Sequence, residues 1–321
     1  MTQVIPKLVQ DKLILTGAKS QKKTRSKKLL ILICAFNEED SLPILLDRLG
    51  NGRDILVIDD GSVDRTRIVA TRFRANVLVH EERLGKAASL ADGISYALQN
   101  SYEYVIEIGA DAIPQEGAIE KILERLDKDT VGAVSCKQIP VGRGSVASRM
   151  DDLIWGVLAE GKKHQMRASG TSHLGAVMFG FRPKLVDSVE GSVNDDEEVG
   201  ISIKKKGYRI EFRDDVVAFF DASSTIGHIF ERRKRMYYGH MRFAGSSAPS
   251  MEMSTSSVAL TKTVLSNPKR IVWVLPTLIL DIRARLLAWR DSRDPNKSKS
   301  YLRWVTTYAK DNSLVIRNSS D

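Results

Sequence analysis

The chain has 321 residues, and 42% of them are hydrophobic, which is enough apolar material for a sizeable core. This composition argues against disorder throughout and predicts one large domain with appendages, or two domains. The formal net charge of +9 favours an anionic partner. A nucleotide diphosphate, an acidic membrane surface and a nucleic acid all satisfy that charge, so charge alone does not choose among them.

The two cysteines, Cys34 and Cys136, lie in apolar stretches that predict strands. Their number and spacing indicate neither a zinc site nor a secreted disulfide scaffold, so we expect a reducing cytosol. Residues 1–28 form a basic tail, and the run that follows them is strand-like rather than the apolar core of a signal peptide. The sequence therefore predicts a cytoplasmic protein without an export signal.

Short apolar runs alternate with amphipathic helical stretches from residue 29 onward. The predicted strands cover residues 29–34, 54–58, 76–79, 104–108 and 131–136. The predicted helices between them cover residues 39–49, 65–73, 86–98 and 117–126. This alternation predicts an α/β fold with a mostly parallel sheet and helices on both faces. Ligands of such a sheet bind at the carboxyl ends of its strands.

The pattern changes after residue 136. The predicted elements there are a helix over 149–166, a strand over 175–181, a helix over 197–206, a strand over 208–212 and a basic helical segment over 225–243. Residues 246–257, rich in Ser and Met, resemble a linker.

The last predicted helix covers residues 271–289. It falls short of the roughly 20 apolar residues that a membrane-spanning helix needs, because charged residues follow its apolar first half. An apolar stripe at helical spacing is formed by Leu275, Leu278, Ile279, Ile282, Leu286 and Trp289. The stripe predicts either a helix packed on the main domain or a helix in a membrane interface with flanking arginines.

Polar residues follow the first two predicted strands. The motif Ala35-Phe36-Asn37-Glu38 closes the first strand and opens a helix, for which Asn37 is a suitable N-cap and Glu38 a favourable acidic residue. The motif Asp59-Asp60-Gly61 ends the second strand, where carboxylates accept hydrogen bonds from a base or a ribose. Ordinary capping and an ordinary turn would also explain these motifs.

Arg83 and Lys86 flank the predicted start of the third helix. A cation at a helix N-terminus gains nothing from the helix dipole, so Lys86 is better explained by an anion that it binds together with the exposed amides. A solvated lysine is the alternative interpretation.

Two further acidic motifs carry chemistry. Asp111 follows the fourth strand, where a carboxylate is a suitable hard oxygen ligand for a divalent cation. Asp195 and Asp196 lie in an acidic cluster, where repulsion raises the pKa of a carboxylate toward the range of a general base. The alternative for this cluster is a solvated acidic N-terminus of the following helix.

In this order, the motifs resemble those of family 2 glycosyltransferases with the GT-A fold, a group that includes cellulose-synthase-like and N-acetylglucosaminyltransferase-like enzymes. The resemblance covers residues 29–239 and implies that Asp196, beside Asp195, is the catalytic base and that Asp111 binds Mg²⁺ or Mn²⁺. Gly109 stands where relatives carry the first aspartate of the metal motif. The implied nucleotide-sugar contacts are Ala35, Asn37, Glu38, Asp59, Asp60, Arg83, Lys86, Ala110 and Arg235.

Arg235 is the one residue that matches the Gln-x-x-Arg-Trp motif of processive relatives. The resemblance therefore implies a non-processive enzyme that moves one sugar from a nucleotide diphosphate sugar, with uridine as the expected base, to an acceptor hydroxyl with inversion. The domains that we expect are a basic tail at 1–28, a GT-A catalytic domain at 29–224, a C-terminal helical segment at 225–290 and a basic tail at 291–321.

Two other functional classes stay open. A nucleotidyltransferase also binds a nucleotide through a metal, but such enzymes usually open with a Gly-rich basic loop where this chain has Ala35-Phe36-Asn37-Glu38. A catalytically impaired sugar-nucleotide-binding protein would explain Gly109. The expected partners are the donor, a lipid-linked or glycan acceptor, and the cytoplasmic face of a membrane. No nucleic acid is expected, because the basic residues lack interleaved aromatics.

Overall fold

The computed structural model describes residues 13–14, 29–142, 144–243, 257–294 and 297–302. Within these residues it contains nine strands: β1 (Leu13–Ile14), β2 (Leu29–Ala35), β3 (Asp54–Asp59), β4 (Asn76–Val79), β5 (Tyr104–Ile108), β6 (Ala112–Pro114), β7 (Val131–Val141), β8 (Met178–Phe181) and β9 (Arg209–Asp221). The strands form one sheet in the order β1-β4-β3-β2-β5-β8-β7-β9-β6.

The sheet is parallel from β4 to β5 and mixed beyond β5, and the edge strand β1 is antiparallel to β4. Strand β2 pairs in parallel with β3 and β5, and β3 pairs in parallel with β4. Strand β8 is antiparallel to both β5 and β7, whereas β7 and β9 are parallel and β6 is antiparallel to β9. The α/β class is confirmed. The sheet contains more antiparallel pairing than we predicted, because apolar runs report burial and not strand direction.

Ten helices accompany the strands in the described residues: α1 (Leu42–Leu49), α2 (Thr66–Arg72), α3 (Lys86–Gln99), α4 (Ala118–Leu126), α5 (Val146–Ser169), α6 (Asp195–Lys205), α7 (Ile226–Phe243), α8 (Ser257–Ser266), α9 (Ile271–Ser292) and α10 (Ser298–Leu302). Helix α5 is longer than predicted. It begins after Ser145, whose hydroxyl accepts a hydrogen bond from the backbone N–H of Ser148, and ends at Gly170 in the left-handed conformation.

The core lies on both faces of the sheet, as predicted. Alternate residues of β2 point to opposite faces, so Ile31 and Ile33 belong to the cluster that includes α1 and α4. Leu30 and Leu32 belong to the cluster on the other face, with α3 and α6. The strand ends are therefore held between two packed layers, which fixes the loops that follow them.

The C-terminal helices form an additional layer. Tyr237 and Tyr238 of α7 pack with Ala284 and Ala288 of α9, and the stacked ring of Tyr301 in α10 completes this cluster. Helix α8 packs on α5.

Helix α9 contacts the rest of the protein through the face opposite to the predicted stripe. Its buried residues are Thr277, Leu280, Ala284, Ala288 and Asp291. All six residues of the stripe are exposed, with between 48% and 65% of their surface accessible. Helix α9 therefore does pack on the main domain, but small residues make that contact because they allow close approach of α7. In the described ranges, no helix combines the length and apolar character needed to cross a membrane.

The predicted linker and most of both tails lie outside the described residues. Inside the N-terminal tail the structure adds strand β1, which we did not predict, with Leu13 paired opposite Leu78 of β4.

Candidate active site

Asp60 organises the loop between β4 and α3. The carboxylate is buried at the end of β3, and its two oxygens accept hydrogen bonds from the backbone N–H groups of Leu84 and Gly85, each at 2.8 Å. The backbone N–H of Asp60 donates to the carbonyl of Ala35 at 2.9 Å, so this residue also ties β2 to β3. A charged acceptor held by two amides is a strong anchor.

Position 61 requires glycine because the loop between β4 and α3 approaches its backbone closely. Its φ is +74°, and a Cβ atom at this position would lie 2.9 Å from the backbone nitrogen of Arg83. The Arg83 guanidinium stacks over the ring of Phe36, 4.0 Å from its centroid. Asp59, Asp60, Arg83 and the Ala35 motif thus lie together at the edge of the sheet, as predicted.

Asn37 is not the N-cap that we predicted. Helix α1 begins at Leu42 after Ser41, because Pro43 suits the first helical turn. The side-chain oxygen of Asn37 instead accepts a hydrogen bond from Val63 N at 3.0 Å, and Glu38 N donates to Thr66 Oγ1 at 2.7 Å. These bonds connect the loops after β2 and β3.

His80 is a site residue that the sequence analysis missed. It follows β4 and is buried, with Nδ1 2.8 Å from Asp60 Oδ1 and Nε2 2.9 Å from Asp92 Oδ2. Burial by itself lowers the pKa of His80, but the hydrogen bonds to the two carboxylates outweigh it and raise the pKa to about 9. The imidazolium therefore holds Asp60 in place at neutral pH.

We predict that His80→Asn removes a pH-dependent part of the stability. A histidine whose folded pKa is raised stabilises the fold fully below its unfolded pKa, and that contribution is lost as the pH rises through about 9. The wild type should lose roughly 2 kcal/mol more than His80→Asn between pH 7 and pH 10 in urea unfolding, after allowance for solvent screening.

The exposed His164→Asn is the matched control and should follow the wild type. The pKa of Lys162, lowered to about 8 by burial, acts in the opposite sense, but it is common to all three proteins and cancels in the difference. Parallel pH profiles for the wild type and His80→Asn would contradict the assignment.

Lys86 connects this edge of the sheet to the acidic motif of α6. Its ammonium lies 3.2 Å from Glu107 Oε1 and 3.4 Å from Asp195 Oδ2. It also donates to the carbonyl of Ala176 at 3.2 Å. Burial by itself lowers the pKa of Lys86, and Asp195 and Glu107 more than reverse this and raise it. The anion that we expected at Lys86 is thus supplied in this structure by the carboxylates of the chain itself.

Glu107 is the second residue that the sequence analysis missed. It is completely buried in β5, and burial, opposed in part by Lys86, raises its pKa to about 7. The available signal was a single carboxylate inside the apolar run 104–108. That position was assigned to the core and not to the site.

Asp196 and Asp195 begin α6 beside a cavity. Asp195 is buried, whereas Asp196 is partly exposed. Burial and repulsion from Asp195 raise the pKa of Asp196, and Lys86 partly offsets them. Arg235 of α7 lies near both carboxylates; burial lowers its pKa, and the two aspartates oppose that change.

The cavity lies between α5, α6 and α7 and has a volume of about 180 Å³. Of the predicted site residues it contains Lys86, Asp195, Asp196 and Arg235; the Ala35, Asp59 and Arg83 group borders the sheet edge instead. One end of the site thus contains the carboxylates at the ends of the strands and the backbone amides bound to Asp60. The other end contains Asp195, Asp196 and the cavity.

Asp111 follows β5 in the turn that leads to β6. Ala112 N donates to Gly109 O at 2.9 Å, and a Cβ atom added to Gly109 would lie 3.2 Å from Asp111 Oδ1. Among the described residues, no group of three or more His, Cys, Asp or Glu side chains is placed to hold a metal. One carboxylate suits a hard cation whose other ligands are phosphate oxygens and water, so these residues fit a metal that arrives with a diphosphate.

Two arginines of the basic helix α7 have structural partners. Arg232 forms an ion pair with Asp151 and donates to Ser223 Oγ at 3.1 Å. Arg233 forms an ion pair with Asp281 of α9 at 2.6 Å. Both arginines are therefore held by carboxylates of neighbouring helices. Arg182, which follows β8, donates to the backbone carbonyls of Leu126 at the end of α4 and Val131 at the start of β7.

The fold and the site define a class: an α/β domain that presents Asp59, Asp60 and Asp111 at or just after the ends of its parallel strands, next to a cavity lined by Asp195 and Asp196. Residues 30–189 match the model of the family described as Glycosyl transferase family 2. Through this domain the chain belongs to the family 2 glycosyltransferases.

Two curated relatives illustrate the sequence similarity. The poly-beta-1,6-N-acetyl-D-glucosamine synthase of Staphylococcus aureus (strain COL) is 26% identical over 222 residues, covering 65% of this chain and 53% of the synthase. The polyprenol monophosphomannose synthase of Mycolicibacterium smegmatis is 25% identical over 126 residues, covering 36% of this chain and 48% of that enzyme. The chain spans about half the length of these relatives.

A solved structure confirms the fold. The crystal structure of glucosyl-3-phosphoglycerate synthase from Mycobacterium tuberculosis, in complex with Mn²⁺, uridine diphosphate and glucosyl-3-phosphoglycerate, aligns with a TM-score of 0.51 and 19% sequence identity. The alignment covers 70% of this chain and 81% of that chain. The GT-A architecture that the motifs implied is therefore confirmed.

Proposed function

We propose that this protein moves a single sugar from a uridine diphosphate sugar to an acceptor hydroxyl, with inversion at the anomeric carbon. The observation that carries the proposal is the position of Asp196, which lies beside the cavity, next to Lys86 and Arg235, with a pKa raised by burial and by Asp195. Inversion needs one carboxylate that removes the acceptor proton from the face opposite the leaving group.

The strand-end residues are assigned to the donor. Asp59 and the loop anchored by Asp60 offer acceptors and amides to the nucleoside, while Arg83 and Arg235 offer cations to the diphosphate. Asp111 would hold Mg²⁺ or Mn²⁺, which when bound neutralises charge on the departing diphosphate. The neighbour crystallised with Mn²⁺ and uridine diphosphate supports this assignment.

The acceptor step is assigned to α6. Asp196 would accept the hydroxyl proton as the acceptor oxygen attacks the anomeric carbon and the bond to the diphosphate breaks. Lys86 forms an ion pair with Asp195, and the charge of Asp195 raises the pKa of its neighbour Asp196, which supports proton uptake there. Arg232 and Met236 replace the Gln and Trp of processive relatives, and Arg232 is bound to Asp151, which supports single addition.

A donor screen tests this function. Hydrolysis and transfer should occur with uridine diphosphate sugars and Mn²⁺, and should be much weaker with guanosine or thymidine diphosphate sugars. The described residues contain no group of three or more His, Cys, Asp or Glu side chains that could hold a metal. Mn²⁺ should therefore raise the melting temperature only when uridine diphosphate supplies further ligands. Absence of joint protection, with no change on Asp111→Asn, would exclude the proposal. Release of pyrophosphate from a nucleoside triphosphate would favour a nucleotidyltransferase.

We also propose that the protein works at the cytoplasmic face of an anionic membrane. The exposed apolar residues of α8 and α9 define a patch, the α8–α9 patch, that consists of Val258, Leu265, Ile271, Val272, Leu275, Leu278, Ile279, Ile282, Leu286 and Trp289. The other exposed large apolar residues of the described ranges lie outside α8 and α9, at Val63, Ile68, Phe73, Leu84, Leu98, Val146 and Ile226. A contiguous apolar patch of this length marks an interaction surface.

Charge selects the occupant of the α8–α9 patch. Exposed cations border it at Lys262, Lys269, Arg283 and Arg290, and the chain carries a net charge of +9. Long basic side chains beside an apolar helix face suit a lipid interface, where their stems contact acyl chains and their charges contact headgroups. A second copy of the chain would bring equal positive charges together.

We predict that the wild type sediments with phosphatidylglycerol vesicles and that Leu286→Glu lowers its partition coefficient roughly tenfold or more, since a buried leucine is worth about 2 kcal/mol. Leu98→Glu, at an exposed position of α3 outside the patch, is the matched control and should bind normally. Failure to bind vesicles, or a concentration-dependent dimer that Leu286→Glu dissociates, would contradict the membrane assignment.

A further inference from the structure

The cavity beside Asp196 contains two buried donors that the proposed reaction does not use. Gln138 Nε2 and Trp155 Nε1 both line it, and neither has a hydrogen-bond partner among the described residues. Gln138 lies on β7, and only 5% of its surface is exposed. A buried donor without an acceptor costs free energy, so both groups indicate a ligand.

A buried cation lies directly behind the same wall. Lys162 of α5 is 1% exposed, and its ammonium donates to Ser135 Oγ at 3.1 Å. No carboxylate of the described residues lies within ion-pair distance of it. A fully buried ammonium with a single neutral hydrogen-bond partner is costly unless a negative charge completes its surroundings.

Gly175, which lines the cavity, lets two of these groups approach each other. A Cβ atom at this position would lie 2.4 Å from Gln138 Nε2 and 2.5 Å from Lys162 Nζ. Both side chains therefore pack directly against the Gly175 backbone, and any side chain here would push them apart. His173 also lines the cavity and offers a hydrogen-bond acceptor there. Its Nδ1 donates to Gln165 Oε1 at 2.6 Å, which leaves Nε2 as the acceptor without a partner among the described residues.

We propose that this part of the cavity binds the anionic group of the glycosyl acceptor, a phosphate or a carboxylate, through Lys162, Gln138 and Trp155. The proposal rests on the proposed function, because it takes the cavity beside Asp196 as the acceptor site. His173 Nε2 accepts a hydrogen bond from a hydroxyl of the same molecule. The ligand class is thus a hydroxylated organic acid or phosphate monoester, whose reacting hydroxyl faces Asp196.

The residues that line the cavity are compatible with two kinds of acceptor, a lipid phosphate and a small metabolite. Ile154, Leu158 and Met236 give the cavity an apolar side, which suits the carbon chain of a lipid phosphate as well as a small metabolite. Glycerol 3-phosphate and phosphatidic acid in neutral detergent micelles carry the same phosphate, so they separate the sources.

The test measures melting temperature with uridine diphosphate and Mn²⁺ at saturation, which first reports donor binding on its own. Glycerol 3-phosphate or the phosphatidic acid micelles should then add a further rise, whereas glycerol should not. Lys162→Met should raise the half-saturating phosphate concentration roughly tenfold or more, because a charge-assisted hydrogen bond is lost. Lys163→Met is the control, since Lys163 pairs with Glu160 and Asp214 instead.

Stability distinguishes this role from a structural one. Lys162→Met should fold with an unchanged or higher melting temperature, because an uncompensated buried charge is removed. Gly175→Ala would displace Gln138 and Lys162 and should weaken phosphate binding while donor protection persists. The proposal is overturned if neither phosphate compound binds the wild type, or if Lys162→Met binds them as the wild type does. Loss of donor protection in the wild type would instead refute the proposed function.

Discussion

Asp196→Asn should lower kcat for sugar transfer by roughly 10²- to 10⁴-fold while leaving the affinity for uridine diphosphate within about twofold. Asparagine has nearly the same shape as aspartate but does not take up a proton from the acceptor. Asp196 lines the cavity and lies apart from the strand-end loop that Asp60 anchors, so donor binding does not depend on it. Initial rates and thermal protection by the nucleotide measure the two effects separately.

Two variants of the same helix sharpen this result. Glu198→Gln makes the same chemical change on α6, at a residue outside the cavity lining, and should keep near-wild-type activity. Asp195→Asn removes the neighbouring charge that raises the pKa of Asp196, so the acid limb of the rate profile should move to lower pH. Equal losses for Asp196→Asn and Glu198→Gln would point to a general helix defect.

A wild-type rate in Asp196→Asn would exclude this residue as the base. A parallel loss of donor affinity would assign it to substrate positioning. The expected pattern is a lower kcat with an unchanged donor affinity, because proton transfer matters in the transition state and not in the bound ground state.

The sequence predicted well which residues lie at the carboxyl ends of the parallel strands, and the reason is physical. Parallel strands end at the same edge, so Asp59 and the Ala110-Asp111 pair had to lie near each other once the strands were recognised. The strand limits of β2, β3, β4 and β5 agree with the apolar runs to within one residue. Local pattern and tertiary position coincide there.

His80, Glu107 and Lys162 could not be assigned in the same way. Each looks unremarkable along the chain, and each becomes important through residues distant in sequence. His80 binds Asp92, Glu107 reaches Asp195 through Lys86, and Lys162 donates to Ser135. Only Glu107 gave a local signal, as a carboxylate inside an apolar run. It reports burial of a charge without naming its partner.

The stripe on α9 shows a different limit. Helical spacing correctly grouped its apolar residues on one face, but a wide apolar helix offers two faces for packing. Ala284 and Ala288 on the opposite face allow close contact with Tyr237 and Tyr238, so the small residues became buried and the large ones exposed. Periodicity identifies a face, whereas packing against α7 decides which face is covered.

Lys86→Met should have the second large effect, because it removes the cation between Glu107 and Asp195. At pH 8 the variant should lose about 3 kcal/mol of unfolding free energy, the usual cost of leaving a buried charge without its partner. The pKa of Glu107, already raised to about 7, should rise further without the lysine. A carboxyl group with a raised folded pKa loses its stabilising contribution as the pH rises, so the deficit should be smaller at pH 6.

Activity should change in a defined direction as well. Lys86 lowers the pKa of Asp196, so its removal should move the acid limb of the kcat/KM profile to higher pH. Urea unfolding at pH 6 and pH 8 and the rate profile measure the two effects. The double variant Lys86→Met with Glu107→Gln should recover most of the stability, because the neutral amide needs no counter-ion. It should not recover the position of the acid limb, because Asp195 still repels Asp196. Full recovery of both would show that Lys86 serves the fold through Glu107 alone and has no part in setting the base.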